Sequence, residues 1–194
     1  MKKTFVSLSL ILIGGLFSLS CSVVGNDPVA AINEAGASSQ AIKRDSLNAL
    51  RILYNRNPEI HSLGVRAKGV LVFPKVTELG LGLGVQGGNG VLFLNGGKER
   101  FFRTSAANYG FRAGVREFAL VFFLMNDDSV RKVDMPGGWE VERSAVTVVG
   151  ESDFSNERSA PGRSGIYAMT FNQSGLIAGC HLKKVRIAPF HPAR

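Results

Sequence analysis

RAKGVLVFPKVTELGLGLGVQGG, residues 66–88, is the stretch that decides the fold. It opens on two cations, Arg66 and Lys68. An apolar segment, residues 70–73, then runs to Pro74, and a third cation, Lys75, follows. Beyond it Leu79, Leu81, Leu83 and Val85 alternate with Gly80, Gly82 and Gly84. Successive side chains of an extended strand point to opposite faces. This strand therefore carries an aliphatic ridge on one face and bare backbone on the other. Bare backbone lets a second segment approach closely, or lets a sheet bend sharply. Glycine in a strand is entropically costly, so packing or curvature must compensate.

Downstream the signals are strands and turns. Residues 67–73 and 79–85 read as strands, 87–90 as a hairpin-like turn, 91–94 as a strand, 95–97 as a second turn, and 100–104 as a short aromatic strand. In residues 108–116, Tyr109, Phe111, Ala113 and Val115 alternate with Asn108, Gly110, Arg112, Gly114 and Arg116. FALVFFLM, residues 118–125, is apolar on both faces and reads as a central strand. A short helix is expected over 129–135, started by Asn126, Asp127 and Asp128 and ended by Pro136, Gly137 and Gly138. Then come a strand over 144–149, a polar loop over 151–162, a strand over 165–171, a turn over 172–175 and a last strand over 176–187. Upstream, Leu47, Leu50, Leu53 and Tyr54 mark one face of a helix over 41–55, with Ser38 or Ser39 at its start and Asn57-Pro58 at its end. There is no βαβ alternation and no internal repeat of fixed period. The expected class is α+β, mainly β. The expected architecture is a strongly curved, Gly-rich antiparallel sheet or small barrel, with an N-terminal amphipathic helix and a short second helix.

The 194 residues suit one domain plus a leader, and 45% hydrophobic content supplies a core. The net charge is +8, or +6 without Lys2 and Lys3. Such a balance favours anionic partners: phospholipid surfaces, nucleic acid or acidic polymers. Residues 1–20 have the form of a signal peptide, with Lys2 and Lys3 ahead of an uncharged apolar run too short for a membrane span. Cys21 follows directly, as at a bacterial lipoprotein cleavage site, where the thiol is acylated. A plain secretory leader with an incidental Cys21 is the alternative. Residues 21–40 then form an acylated Cys and tether, and 41–194 the folded domain. Ser22 after the Cys resembles lipoproteins sorted to the outer membrane. Acylation of Cys21 leaves Cys180 as a small buried hydrophobe.

The motifs that carry chemistry elsewhere do not do so here. Gly82-Leu83-Gly84-Val85-Gln86-Gly87 matches G-x-G-x-x-G, but that pattern needs a strand, a turn and a helix. Here the glycines lie within a strand. Gly162-Arg163-Ser164-Gly165 falls short of a nucleophile elbow. His61, His181 and His191 sit in unrelated contexts. Cys180 and His181 point to opposite faces of a regular strand and do not share a metal ion. No catalysis, cofactor or metal is expected. A nucleic-acid partner rests on charge alone, and export argues against it.

The cations around the opening stretch remain. If it is one strand, Arg66 and Lys68 share a face. They and Lys75 are either solvated surface charges or a headgroup-binding patch, with Arg44 and Arg51 of the helix second in rank. Each cation beside an anionic membrane contributes about 1 kcal/mol.

RAKGVLVFPKV followed by a Gly-rich strand resembles the opening of the SYLF domain, a lipid-binding family. The similarity continues through Thr104-Ser105-Ala106-Ala107-Asn108-Tyr109-Gly110, through 118–126 and through Leu176-Ile177-Ala178-Gly179-Cys180-His181-Leu182. It covers about 45–187. Asn108 stands where a Ser is usual, and Cys180-His181 replaces smaller residues. The resemblance implies phospholipid binding without catalysis. In a bacterial envelope the ligand would be an anionic phospholipid other than a phosphoinositide, and actin is not expected as a partner. The expected protein is a lipid-anchored envelope lipoprotein of the outer membrane, facing the periplasm or the cell surface. The alternative is a structural or interaction lipoprotein that binds a protein or cell-wall partner.

Overall fold

A computed structural model describes residues 38–141, 147–148, 165–179 and 182–192. Helix α1 (Ser39–Arg56) starts where the Ser38 side chain accepts a hydrogen bond from the Ala41 amide. Asn57 ends it and begins α2 (Pro58–Arg66), accepting from the Glu59 and Ile60 amides through its side chain. Pro58 sits in the first turn of α2, where a missing N–H costs nothing. Asn57-Pro58 thus ends one helix and starts another, so the chain has a helix beyond the two expected. Arg66 lies in the last turn of α2, where a cation complements the helix dipole. Arg66 and Lys68 therefore do not share a strand face as the sequence reading expected. One ends a helix, and the other lies in the bend before the first strand.

Two strands of 26 residues dominate: β1 (Gly69–Leu94) and β2 (Glu99–Leu124), paired antiparallel along their length. The several short strands expected between 67 and 125 are segments of these two. Pro74 marks a register shift rather than a break, because β1 tolerates proline at a bulge. The Gly87-Gly88-Asn89-Gly90 run is not a turn. Gly87 pairs with Ser105 and Gly90 with Phe102 inside the ladder. The true hairpin turn is residues 95–98, with Gly96 and Gly97 at positive φ.

Helix α3 (Asp127–Val133) follows, capped reciprocally by Asn126 and Ser129. Short β3 (Trp139–Val141) and β4 (Thr147–Val148) lead to β5 (Ile166–Gly179) and β6 (Leu182–Pro189). The expected turn at 172–175 lies within β5. Asn172 and Gly175 take positive φ there, beside a register shift against β2. Arg112 pairs with Gly179 and Tyr109 with Leu182, so β5 and β6 hold one alignment along β2. Cys180, His181 and the polar loop at 151–162 lie outside the described residues. The six described strands form one mainly antiparallel sheet, a curled and open half-barrel with β2 as its spine. Only β4 runs parallel, against β5.

The curl brings the two ends of β1 together. A Cβ on Gly88 would lie 2.5 Å from the Lys75 carbonyl oxygen, and one on Gly90 would run into the Val72 carbonyl. The bare positions of β1 thus let its second half pass against its first. Helix α1 lies across this closure: Lys43 pairs with Glu99 at 2.5 Å, the buried Ser46 hydroxyl donates to the Val72 carbonyl, and Arg56 reaches Asn172. Two cores result. Outside the curl, Ala49, Leu50, Leu53, Ile60 and Leu63 of the helices pack on Val70, Val72, Ala119, Val121 and Phe123. Inside it, Leu71, Phe73, Leu92, Phe102 and Phe122 pack with Val133 and Trp139.

Replacing Gly90 with Ala is expected to destabilise the domain by about 2 kcal/mol, because backbone meets backbone and nothing flexible can yield. Gly137→Ala, with open space around it and no positive φ, is the neutral control. Urea unfolding of the two variants checks this. Burial raises the Tyr54 hydroxyl to about pH 12, so the unfolded chain ionises first as pH rises past 10. Stability is therefore expected to fall between pH 10 and 12, and Tyr54→Phe to reduce that slope in a pH series of melts.

Candidate functional site

The five cations singled out from the sequence fall into three places. Arg66 and Lys68 stand exposed at the corner where α2 hands the chain to β1. The Lys68 amide donates to the Leu124 carbonyl, which fixes this corner to the end of β2. Arg44 and Arg51 lie on the outer face of α1, seven residues and so almost two full turns apart. With Leu47, Asn48 and Asp45 they border an open depression of about 440 Å³. Arg44 is paired with Asp45 at 3.0 Å, and Arg51 donates to Asn48 at 2.7 Å. Leu47 is 47% exposed between them. This face is amphipathic in a second sense, with an exposed leucine between guanidinium groups. Lys75 is elsewhere, in an ion pair of 3.0 Å with Glu117, whose carboxylate also accepts from Thr77. Lys75, like Arg44, already has a carboxylate partner, which lowers its worth as an anion contact.

The corner gains a residue that sequence spacing does not reveal. The Asn95 side chain donates to the Ala67 carbonyl at 3.3 Å, and its amide donates to the Lys68 carbonyl at 3.2 Å. The Leu94 amide in turn donates to the Lys98 carbonyl at 2.9 Å. The hairpin turn is therefore pinned against the α2–β1 bend, and Lys98, thirty residues on, comes to the same corner as Lys68. Among the described residues, Arg66, Lys68 and Lys98 have no carboxylate at ion-pair distance, unlike Lys43, Arg44, Lys75, Arg100, Arg116 and Arg131. The one legible clue to Lys98 is the Asn95-Gly96-Gly97 turn ahead of it, which gives a bend but no destination.

Arg66 also acts on a buried neighbour. Desolvation raises the Tyr167 hydroxyl above its ordinary pKa, and the Arg66 charge pulls it partly back. A second charged pair lies on the glycine-bare face, where Glu78, fully buried, meets Arg116 at 2.7 Å across the β1–β2 ladder. Arg116 also stacks over Phe118 at 5.0 Å. A buried pair of this kind costs desolvation on both sides and is weak evidence of stabilisation. Among the described residues no group of three His, Cys, Asp or Glu side chains is arranged to hold a metal ion. No described helix is long and apolar enough to cross a membrane. Cys21 lies outside the described residues. No protein-family model matches the chain, and no curated protein matches it.

Substituting Arg66 with Gln is expected to push the Tyr167 pKa further up, because removing a nearby positive charge disfavours the phenolate. An ultraviolet pH titration, read against Tyr167→Phe, measures it. A downward or absent shift would separate the two groups.

Proposed function

We propose that the folded domain binds anionic phospholipid headgroups without catalysis, as the globular part of a bacterial envelope lipoprotein anchored through Cys21. The observation that carries the reading is the corner of three exposed cations, Arg66, Lys68 and Lys98, with no carboxylate at ion-pair distance among the described residues. Buffered cations gain little from a membrane, since an existing partner must be given up. Three unbuffered ones contribute about 1 kcal/mol each beside an anionic leaflet. The Arg44–Leu47–Arg51 face of α1 supports the same reading, because an apolar side chain between cations suits the headgroup–acyl boundary. The similarity of the 66–76 and 104–110 segments to the SYLF domain points to the same ligand class. The leader and Cys21 point to an outer-membrane location facing the periplasm or the cell surface.

All contacts described above lie within residues 38–192, so the chain from residue 22 onward retains them while losing the anchor. Flotation of that protein with phosphatidylethanolamine vesicles of rising phosphatidylglycerol content tests the reading. Binding is expected to grow with anionic lipid and to weaken with salt. Lys68→Glu with Lys98→Glu reverses two charges and is expected to weaken binding by roughly a hundredfold or more. Lys75→Glu, whose residue is already paired, is expected to do much less. No flotation at low salt would overturn the lipid reading and leave a protein or cell-wall partner as the function of the domain.

A further inference from the structure

The outer face of the sheet has two halves. The helices cover Val70, Val72, Ala119, Val121 and Phe123. Beyond them, on the same alternation, Val115 is 50% exposed, Ala113 and Ala107 are exposed, and Leu79 and Val85 are partly so. The register extends these positions across three strands. Val115 aligns with Leu79 on one side and Leu176 on the other; Ala113 aligns with Leu81 and Ala178. One position in three strands after another is apolar, over about 25 Å of strand from 107 to 115. A sheet face turned to water normally alternates to polar residues, and a contiguous apolar face marks an interaction surface.

The borders of this band differ in charge. At the end near Val115, Glu117 faces Lys75 and the two cancel. At the other end Ala107 aligns with Lys184 and Ser105 with Arg186, and Arg103 follows on the same alternation. Arg186 is exposed, donates to the Gly137 carbonyl and aligns with the exposed Glu140 of β3, so Arg103 carries most of this border's unopposed charge. Arg103 is held by Asn89 at 3.2 Å and stacks on Phe190 at 4.8 Å. An apolar band with cations along one border matches a bilayer surface, acyl chains against the band and phosphates against the border. It does not match a second copy of this chain, since two such borders on a protein of charge +6 without Lys2 and Lys3 repel.

We infer that this outer sheet face, with Leu79 and Val85 of β1 and Ala107, Ala113 and Val115 of β2, enters the interface of an anionic phospholipid bilayer, with Arg103 and Arg186 at headgroup level. The inference rests on the lipid-binding reading above and adds where the domain meets the bilayer. The aliphatic side of the Leu-Gly alternation is then a contact surface, while its glycine side serves the closure of the fold.

The test is a depth measurement on the chain from residue 22 onward, which keeps every contact described above and lacks the anchor. Val115→Trp and Leu47→Trp are each mixed with phosphatidylethanolamine–phosphatidylglycerol vesicles carrying brominated acyl chains, with the unsubstituted chain as the baseline for its single, buried Trp139. Emission from Val115→Trp is expected to be quenched, more than that from Leu47→Trp. Adding Ala113→Asp to Val115→Trp is expected to remove the quenching with the melting curve unchanged, because both positions are exposed. Flotation without quenching at position 115 would overturn this inference and leave the lipid reading intact. Quenching at position 47 alone would do the same and move the contact to α1. A blue shift without vesicles that grows with protein concentration would overturn it in favour of self-association. Absence of flotation would remove both readings together.

Discussion

Gly88 and Gly90 let the second half of β1 lie against the carbonyls of Lys75 and Val72 in its first half. Much of the domain depends on that approach. A hairpin of two 26-residue strands would, if left flat, expose a long sheet with two unpaired edges, a form prone to aggregation. Curling it until β1 meets itself gives an inside and an outside. The inside takes large side chains such as Phe73, Phe102 and Phe122, and the outside is left for the helices. Backbone reaches backbone only where no Cβ intervenes. The entropic cost of glycine in a strand is offset by the closure it permits.

The surfaces follow from the curl. Helix α1 lies over the closure, tied at one end to Glu99 and at the other to Asn172, and so turns Arg44, Leu47 and Arg51 outward. The same approach of the β1 ends carries the 95–98 turn to the α2–β1 bend, where Asn95 bonds to Ala67 and Lys68. The unbuffered corner of Arg66, Lys68 and Lys98 is thus a by-product of closure. Gly80 and Gly84 of β1 are buried on the inner face, and Leu79 and Val85 face outward, onto a stretch that the helices do not reach.

The inner face also carries polar groups. Glu78 is fully buried and Gln86 and Thr104 nearly or fully so, and Arg116 reaches in to Glu78. The Thr104 hydroxyl, Arg116 Nε and Trp139 Nε1 have no hydrogen-bond partner among the described residues. Each such group is a cost that an apolar core would avoid. On this bare stretch of β1, Glu78 and Gln86 alternate with glycines rather than with large hydrophobes, so it lacks the apolar volume that fills the rest of the core.

Local chemistry in the sequence determined several elements. It set the presence of α1, the Asn126 cap of α3, the central apolar strand at 118–124, the turn after residue 94 and the mainly-β, Gly-rich, curved class, but the buried face of α1 runs through Ile42, Ser46, Ala49, Leu50 and Leu53 and leaves Leu47 exposed, against the periodicity read from Leu47. Each depends on residues within one or two turns of each other. Tertiary structure decided the rest. Gly87–Gly90 has the composition of a turn, yet long-range pairing with β2 holds it in a strand, because ladder bonds to a partner many residues away outweigh a local preference; 172–175 keeps a local kink inside β5, with Asn172 and Gly175 at positive φ beside the register shift. Pro58 reads as a helix end and is equally suited to a helix start; the packing of Ile60 and Leu63 on the sheet selects the second. Lys98 joins Lys68 only after the ends of β1 meet, and Lys75 is paired with Glu117 from another strand. Cation identity is written in the sequence. Which cations stand unpaired depends on the carboxylates that the fold brings beside them.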